Sequence, residues 1–68
     1  MSDRTYQKIE IVGSSTKSIE DAIQNAIDEV SKQHTDLRWF EVVETRGYID
    51  AGKVAYYQVT VKVGATNL

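Results

Sequence analysis

The chain has 68 residues, no cysteine, one histidine and a net charge of −2. A domain this small buries a modest share of its surface, so it usually needs disulfides, a metal or oligomerisation to be stable. The absence of cysteine excludes disulfides and thiolate metal sites, and His34 alone cannot form a histidine metal site. Of these three ways to stabilise a small domain, oligomerisation is the one that remains. The balanced charge argues against nucleic acid, which is bound by basic patches.

The sequence carries no recognisable targeting segment. Met1–Thr5 lacks the apolar core of a secretory signal, and no apolar run is long enough to cross a membrane. We therefore expect a cytoplasmic protein that has no membrane partner. No linker, proline or repeat interrupts residues 1–68, so the whole chain is expected to form a single domain.

The first half of the chain predicts a strand followed by a helix. Residues Tyr6–Val12 alternate as a strand does, and Gly13–Thr16 is predicted to end that strand. Ser18 is a suitable N-cap, with Asp21 at the third helical position, and we predict a helix over residues 18–33. Its apolar residues form one stripe, which consists of Ile19, Ala22, Ile23, Ala26, Ile27 and Val30.

The second half predicts two long strands joined by a hairpin. The strands run from about Leu37 to Ile49 and from about Val54 to Val63, and the residues between them have turn chemistry. If Ala51 and Gly52 form the loop, residues equally distant from it lie opposite each other. The predicted order is β-α-β-β, and a long antiparallel sheet twists enough to wrap partly around the helix.

One helix can cover only one face of this sheet. In the simple hairpin register, the face toward the helix carries Phe40, Val42, Tyr57, Val59, Val61 and Val63. The other face carries Trp39, Glu41, Val43, Thr45, Tyr56, Gln58, Thr60 and Lys62. The only tryptophan, Trp39, is therefore predicted to lie on a face that the subunit cannot bury alone, where a large aromatic requires a partner.

Two interpretations of Trp39 are compatible with this placement. The side chain packs against another subunit, or it stacks on a flat ligand. A side-chain amide such as Gln58 beside an aromatic ring suits a planar heterocycle, because an amide presents a donor and an acceptor side by side. Stacking contributes about 1–3 kcal/mol per ring, by analogy with nucleic-acid bases.

Catalytic signatures are absent from the sequence. One histidine and no cysteine allow neither a Cys-His nor a Ser-His-Asp set. Ser14–Thr16 is similar to a phosphate-binding turn but lacks the lysine and second glycine of the P-loop, so we interpret it as a capping turn. Glutamates such as Glu10, Glu41 and Glu44 are expected to pair with neighbouring cations such as Lys8, Arg46 and Lys62 rather than to act as acid and base.

Together these residues resemble the dodecins, a family of small flavin-binding proteins. The resemblance covers nearly the whole chain. It rests on four segments with matching spacing, which are Ile9–Ser15, Trp39–Val42, Arg46–Gly47 and Tyr57–Gly64. The resemblance implies a three-stranded antiparallel sheet that partly wraps one helix, with twelve subunits assembled into a hollow sphere.

The resemblance also implies a function. Dodecins bind flavins (riboflavin, FMN or FAD) in pairs between tryptophans of neighbouring subunits, and they store flavin and quench its photochemistry without acting as enzymes. By match of motif, Trp39 is the stacking residue, Gln58 hydrogen-bonds the isoalloxazine edge, and Arg46 lies near the ligand. Some bacterial members also hold coenzyme A. Here Ala65–Leu68 replaces the phenylalanine and arginine of many members, which bears on phosphate contacts and on the choice among flavins.

Two other functions compete with flavin storage. A purely structural or interaction oligomer would bury the open face against protein and ignore flavin. A small flavin-dependent enzyme would turn its flavin over with a reductant, although the sequence offers no nicotinamide site.

Overall fold

The computed structural model describes residues 4–67. They form strand β1 (Tyr6–Ser15), helix α1 (Ile19–Ser31), strand β2 (Leu37–Asp50) and strand β3 (Lys53–Thr66). The order confirms the predicted β-α-β-β fold, and the three strands form an antiparallel sheet in the order β1-β3-β2. Residues 1–3 and 68 lie outside the described residues. They belong to the N-terminal segment Met1–Thr5 and the C-terminal segment Ala65–Leu68 that are discussed above.

Helix α1 begins at the predicted cap. The Ser18 Oγ accepts a hydrogen bond from the backbone N–H of Asp21 at 3.0 Å. Ser15 extends the cap, because its Oγ accepts from the Lys17 N–H at 2.9 Å and donates to the Asp21 carboxylate at 2.7 Å. The hydroxyls of this turn therefore cap the helix, as interpreted from the sequence. The helix ends at Ser31, two residues before the predicted end.

Strand β1 does not end at Gly13, which corrects the prediction that Gly13–Thr16 breaks it. The strand continues to Ser15, and Gly13 pairs with Val59 of β3. A Cβ on Gly13 would overlap the carbonyl of Ala22 in the helix. Glycine is required here because the strand and the helix approach each other closely. A glycine inside a strand often marks such a close approach.

The core lies between α1 and the two strands that it covers, β1 and β3. It consists of the buried side chains Ala22, Ala26, Val30, Val59, Val61 and Val63. Phe40 and Val42 of β2 lie opposite Val63 and Val61, as predicted, yet they are 46% and 48% exposed. They stay exposed because β2 is an edge strand and the helix packs mainly on β1 and β3.

The β2–β3 register departs from the simple hairpin pattern. Ala51 and Gly52 form the turn with positive φ angles of 52° and 76°, as a two-residue hairpin turn requires. Irregularities then follow between Tyr48 and Ile49 and between Val42 and Glu44. A β-bulge adds a residue to one strand and so reverses which face the next residues occupy.

These irregularities change the composition of the sheet face opposite α1. Thr45 pairs with Val59 and therefore faces the helix, so the prediction that it shares a face with Gln58 is wrong. Val43 falls within the irregularity and has no partner in the ladder. Arg46 instead pairs directly with Gln58. We call the face opposite α1 the open face; its β2 and β3 residues are Trp39, Glu41, Glu44, Arg46, Tyr48, Tyr56, Gln58, Thr60, Lys62 and Gly64.

The subunit is elongated, with extents of 55 × 20 × 13 Å. Strand β1 pairs with β3 only as far as Tyr57, so residues 48–56 project as a two-stranded arm. The arm carries Ile49 and Val54, which are 78% and 54% exposed. The accessible surface of 4959 Å² exceeds the roughly 4,300 Å² of a compact monomer of 7.7 kDa. An isolated two-stranded hairpin is marginally stable, so the arm needs further packing.

Candidate functional site

Trp39 lies on the open face, opposite Gly64 of the central strand. Its indole covers Gly64 so closely that a Cβ at that position would overlap the ring atoms. Tyr6 supports the indole from the side, in an edge-to-face contact with ring centroids 4.9 Å apart and an interplanar angle of 69°. Trp39 remains 37% exposed. The ring is therefore held in place on the sheet and still presents surface to a partner.

Gln58 lies on the same face, between β1 and β2. Its Nε2 donates a hydrogen bond to the Ser14 Oγ at 3.2 Å. This contact orients the amide and leaves one N–H and the carbonyl oxygen for a ligand. Arg46 stands directly across the ladder from Gln58. The structure thus brings together two of the three site residues named from the sequence.

Arg46 rests on an aromatic support. Its Nη2 donates to the Tyr48 hydroxyl at 2.8 Å, and its guanidinium carbon lies 5.2 Å from the centroid of the Tyr48 ring. Tyr48 in turn stacks on Tyr56, with centroids 4.6 Å apart and ring planes inclined by 19°. Cation–π contacts and aromatic pairs both favour one fixed arrangement of such groups.

Trp39 lies far from Gln58 and Arg46 within one subunit. Its partner Gly64 and Gln58 are six residues apart on β3. At the rise of a β-strand, this places them roughly 20 Å apart. A ring stacked squarely on Trp39 therefore does not reach the Gln58 amide of the same subunit. A site that uses both side chains on one ring must take them from two subunits.

The centre of the open face is electrically balanced. The Lys8 ammonium and the Glu41 carboxylate form an ion pair at 2.7 Å, as expected from the sequence. The hydrogen bond and the charge of Lys8 hold the pKa of Glu41 below its ordinary value of 4.5. Glu41 is thus engaged as a partner of Lys8. Within residues 4–67, no group of three acidic, histidine or cysteine side chains is arranged to hold a metal ion.

Three contributors to this face were not identified from the sequence. Gly64 makes room for the indole, Ser14 orients Gln58, and Tyr48 supports Arg46. The pairing of Trp39 with a glycine could have been found from the hairpin register, which places Gly64 opposite it. The contact between Arg46 and Tyr48 follows from their spacing of two residues in a strand, which puts them on one face.

The fold and this face define a small α+β domain with one helix, a long projecting hairpin and a partly exposed aromatic face. Comparisons with known proteins identify the family. The dodecin family model matches residues 5–66. The chain is 44% identical over 61 residues to the dodecin of Thermus thermophilus. The aligned residues cover 90% of this chain and 88% of that relative. The chain belongs to the dodecin family, which confirms the resemblance seen in the sequence.

Solved structures agree with this assignment. The dodecin from Streptomyces davaonensis superposes with a TM-score of 0.91 at 43% identity and covers 98% of each chain. The calcium dodecin from Mycobacterium tuberculosis, described as having a novel calcium-binding site, superposes with a TM-score of 0.80 at 28% identity. The superposition covers 94% of this chain and 91% of that chain. No helix in the described part of the chain is long and apolar enough to cross a membrane.

Proposed function

We propose that this protein is an oligomeric flavin-binding protein that stores flavin and quenches its photochemistry. The observation that carries the proposal is the fixed, partly exposed indole of Trp39 on a sheet face that the subunit cannot cover. The exposed ring suits stacking on an isoalloxazine, and the free donor and acceptor of Gln58 suit the pyrimidine edge of that ring.

The binding site is composite in this proposal. Because Trp39 and Gln58 of one subunit lie roughly 20 Å apart along the strands, one ring uses the tryptophan of one subunit and the amide of another. Two tryptophans related by a two-fold axis enclose a pair of flavins between them. Such a site exists only in the assembled oligomer, so assembly and flavin binding are linked.

We propose assembly into the hollow dodecamer of the family. The projecting arm and the edge strand expose apolar side chains that a lone subunit leaves in water, notably Ile49, Val54, Phe40 and Val42. An apolar depression of about 180 Å³ near the start of β2 adds to this uncovered surface. It is lined by Ile27, Leu37, Arg38, Trp39, Phe40 and Val63. Burying these surfaces between subunits supplies the stability that a domain of this size lacks.

Quenching follows from the stack. The indole of Trp39 donates one electron to the photoexcited flavin and recovers it from the reduced flavin, so the pair returns to its ground state without net chemistry. The protein acts by stoichiometric binding and not as an enzyme, and we place this flavin store in the cytoplasm. FMN, riboflavin and FAD are the candidate flavins, and coenzyme A is a candidate second ligand.

One relative is named for calcium, whereas no group of three acidic, histidine or cysteine side chains in residues 4–67 of this chain is arranged to hold a metal ion, so calcium is the alternative that the flavin proposal must be tested against. Addition of calcium and of a chelator to the purified protein separates the two candidates. Calcium binding predicts a change in thermal stability that the chelator reverses, whereas the flavin proposal predicts no dependence of flavin quenching on either reagent.

The decisive experiment is a fluorescence titration of FMN and riboflavin with the assembled apoprotein. We expect saturable quenching near one flavin per subunit. Trp39→Ala should weaken binding by about 1–3 kcal/mol per stacked ring. Trp39→Phe is the matched variant: it keeps an aromatic ring but a poorer electron donor, so quenching should fall more than affinity.

Other outcomes would favour the competing functions. An intact oligomer that leaves flavin fluorescence unchanged would contradict the proposal and support a structural or interaction role. Reduction of the bound flavin by NAD(P)H at a useful rate would instead support an enzyme. Sedimentation at micromolar concentration tests the assembly, and a clean monomer or dimer would remove the composite site.

A further inference from the structure

A tyrosine lies in direct contact with the tryptophan of the open face. The ring of Tyr6 meets the indole of Trp39 in an edge-to-face contact, with centroids 4.9 Å apart and ring planes inclined by 69°. This separation lies within the range at which aromatic side chains touch. Tyr6 pairs with Thr66 at the end of the β1–β3 ladder, so the contact is built into the sheet.

The other tyrosines of the same subunit lie far from this indole. Tyr57 is seven residues from Gly64 on β3, which corresponds to roughly 23 Å at the rise of a strand. Tyr56 and Tyr48, which pair with each other, lie further toward the arm. The chain has no cysteine that could be oxidised in their place. Tyr6 is therefore the tyrosine that can exchange an electron with Trp39 by direct contact.

Quenching by electron transfer exposes Trp39 to damage. While its electron is on the flavin, the indole carries a missing electron, or hole, and the return of that electron restores it. When dioxygen takes the electron first, and is reduced to superoxide, the hole remains on the indole. An indole in this state reacts with water or with superoxide and is permanently oxidised. Such a reaction would destroy the stacking surface.

The contact with Tyr6 provides a second source for the missing electron. A phenol that loses an electron also loses its proton, because its radical cation is a strong acid, and this makes the transfer to an indole cation favourable at neutral pH. Tyr6 is 47% exposed, so water can accept the proton. One electron thus passes from Tyr6 to Trp39 and one proton from the Tyr6 hydroxyl to water, which leaves a neutral indole and a tyrosyl radical. A soluble ene-diol reductant such as ascorbate then returns both as a hydrogen atom.

We infer that Tyr6 is a secondary electron donor that refills the hole on Trp39 and so protects the stacking indole from oxidation. The inference rests on the proposed flavin-binding function. A ring stacked on Trp39 covers the free face of the indole, whereas Tyr6 flanks the indole from the side. The transfer therefore moves the hole from the residue that binds the ligand to a neighbour that a soluble reductant can reach.

The test illuminates the assembled protein loaded with FMN under air and measures the oxidation of Trp39 by mass spectrometry of its peptide. Tyr6→Phe keeps the ring that supports the indole and removes the hydroxyl whose proton must leave. It should accelerate the oxidation of Trp39 at least about threefold per absorbed photon, because the two fates of the hole compete as parallel steps. Tyr57→Phe is the matched control, since its ring lies on the helix side of the sheet, and its rate should equal that of the wild type.

Two further measurements separate electron donation from a structural effect. Ascorbate should slow the oxidation of Trp39 in the wild type and have less effect in Tyr6→Phe, because the reductant acts through the tyrosyl radical. Electron paramagnetic resonance of illuminated, frozen samples should show a tyrosyl radical in the wild type that Tyr6→Phe lacks. The FMN affinity of Tyr6→Phe should change by less than about threefold, since the ring contact is kept.

The failures of the two proposals are distinguishable. If the wild-type protein binds no flavin, the proposed function fails and the inference fails with it. If FMN binds and is quenched, but Tyr6→Phe oxidises Trp39 at the wild-type rate, flavin binding stands and electron donation by Tyr6 is overturned. A tyrosyl signal that persists in Tyr6→Phe, or an equal acceleration in Tyr48→Phe, would place the hole on another tyrosine and overturn the assignment. Faster oxidation that only matches a loss of FMN affinity would overturn it as well, because Tyr6 would then act by holding the indole.

Discussion

Replacement of Gly64 by alanine tests whether the position of Trp39 determines flavin binding. Gly64 lies in the central strand, where glycine weakens a sheet unless another group approaches closely. Here the approaching group is the indole, which occupies the space that a Cβ would fill. Alanine is otherwise tolerated in a strand, so the methyl group acts mainly by displacing the ring from the sheet.

The size of the effect follows from what the indole loses. A displaced Trp39 no longer presents its face to the ligand, so the stacking contribution of about 1–3 kcal/mol is lost, which corresponds to about fivefold to 150-fold weaker binding. The subunit also loses the contact of the indole with the strand. Forcing a methyl group into an occupied space should lower the free energy of unfolding by about 1–3 kcal/mol.

Titration of FMN fluorescence measures the affinity, and thermal denaturation of the same samples measures the stability. Gly47→Ala is the matched control, because its new Cβ lies 3.1 Å from the carbonyl oxygen of Tyr56 and does not meet Trp39. It should cost some stability and leave FMN affinity unchanged. If Gly64→Ala forms an intact oligomer with wild-type FMN affinity, the contact between the indole and Gly64 does not position Trp39 for flavin binding.

Three further changes test the fold. Ala51→Asn should raise the free energy of unfolding by about 0.5–1 kcal/mol in chemical denaturation, because asparagine accepts the positive φ of 52° better than alanine; a lower stability would contradict the turn assignment. Gly13→Ala should destabilise by about 3 kcal/mol or prevent folding, because its Cβ overlaps the Ala22 carbonyl; normal thermal stability would refute the close helix approach. Because the Glu41 pKa is lowered in the folded protein, the stability from its pairing with Lys8 is complete above pH 4.5 and is lost as pH falls through the lowered value. Glu41→Gln should therefore flatten the acid side of a melting-temperature series, and an unchanged curve would show that the ion pair contributes nothing.

Local patterns were sufficient to predict the elements of the fold. Strand alternation and the helical stripe depend on neighbours a few residues away, so β1 and α1 could be placed from the sequence, as could the Ser18 cap. The sequence predicts the end of β1 too early, at Gly13, because a glycine after a strand is a common turn signal. Its actual role, the close approach of a helix residue, depends on a contact distant in sequence.

The composition of the open face could be predicted only in part. Trp39 and Gln58 fell on one face in the simple hairpin register, and the structure confirms that placement. The bulges at Val43 and near Tyr48 leave no distinct signal in residue type. The prediction of the face on which Thr45 lies is therefore wrong. The edge position of β2, which explains the exposure of Phe40, depends on strand order, and nothing local in the sequence specifies that order.

The separation of Trp39 and Gln58 gives the composite site a direct test by mixing subunits. Trp39→Ala and Gln58→Ala each damage every site of their own oligomer. If one ring takes its tryptophan and its amide from different subunits, a mixed oligomer contains some sites in which both intact side chains meet. Random mixing in equal amounts should restore about a quarter of the sites. Restoration would be absent if one subunit supplied both groups, because no subunit in the mixture has both. We therefore expect the co-expressed variants to bind FMN tightly, with quenched fluorescence, at about a quarter of the wild-type stoichiometry. Each variant alone, and the two variants mixed after assembly, should not regain this binding. Failure of the co-assembled mixture would contradict the composite site even if both residues proved essential.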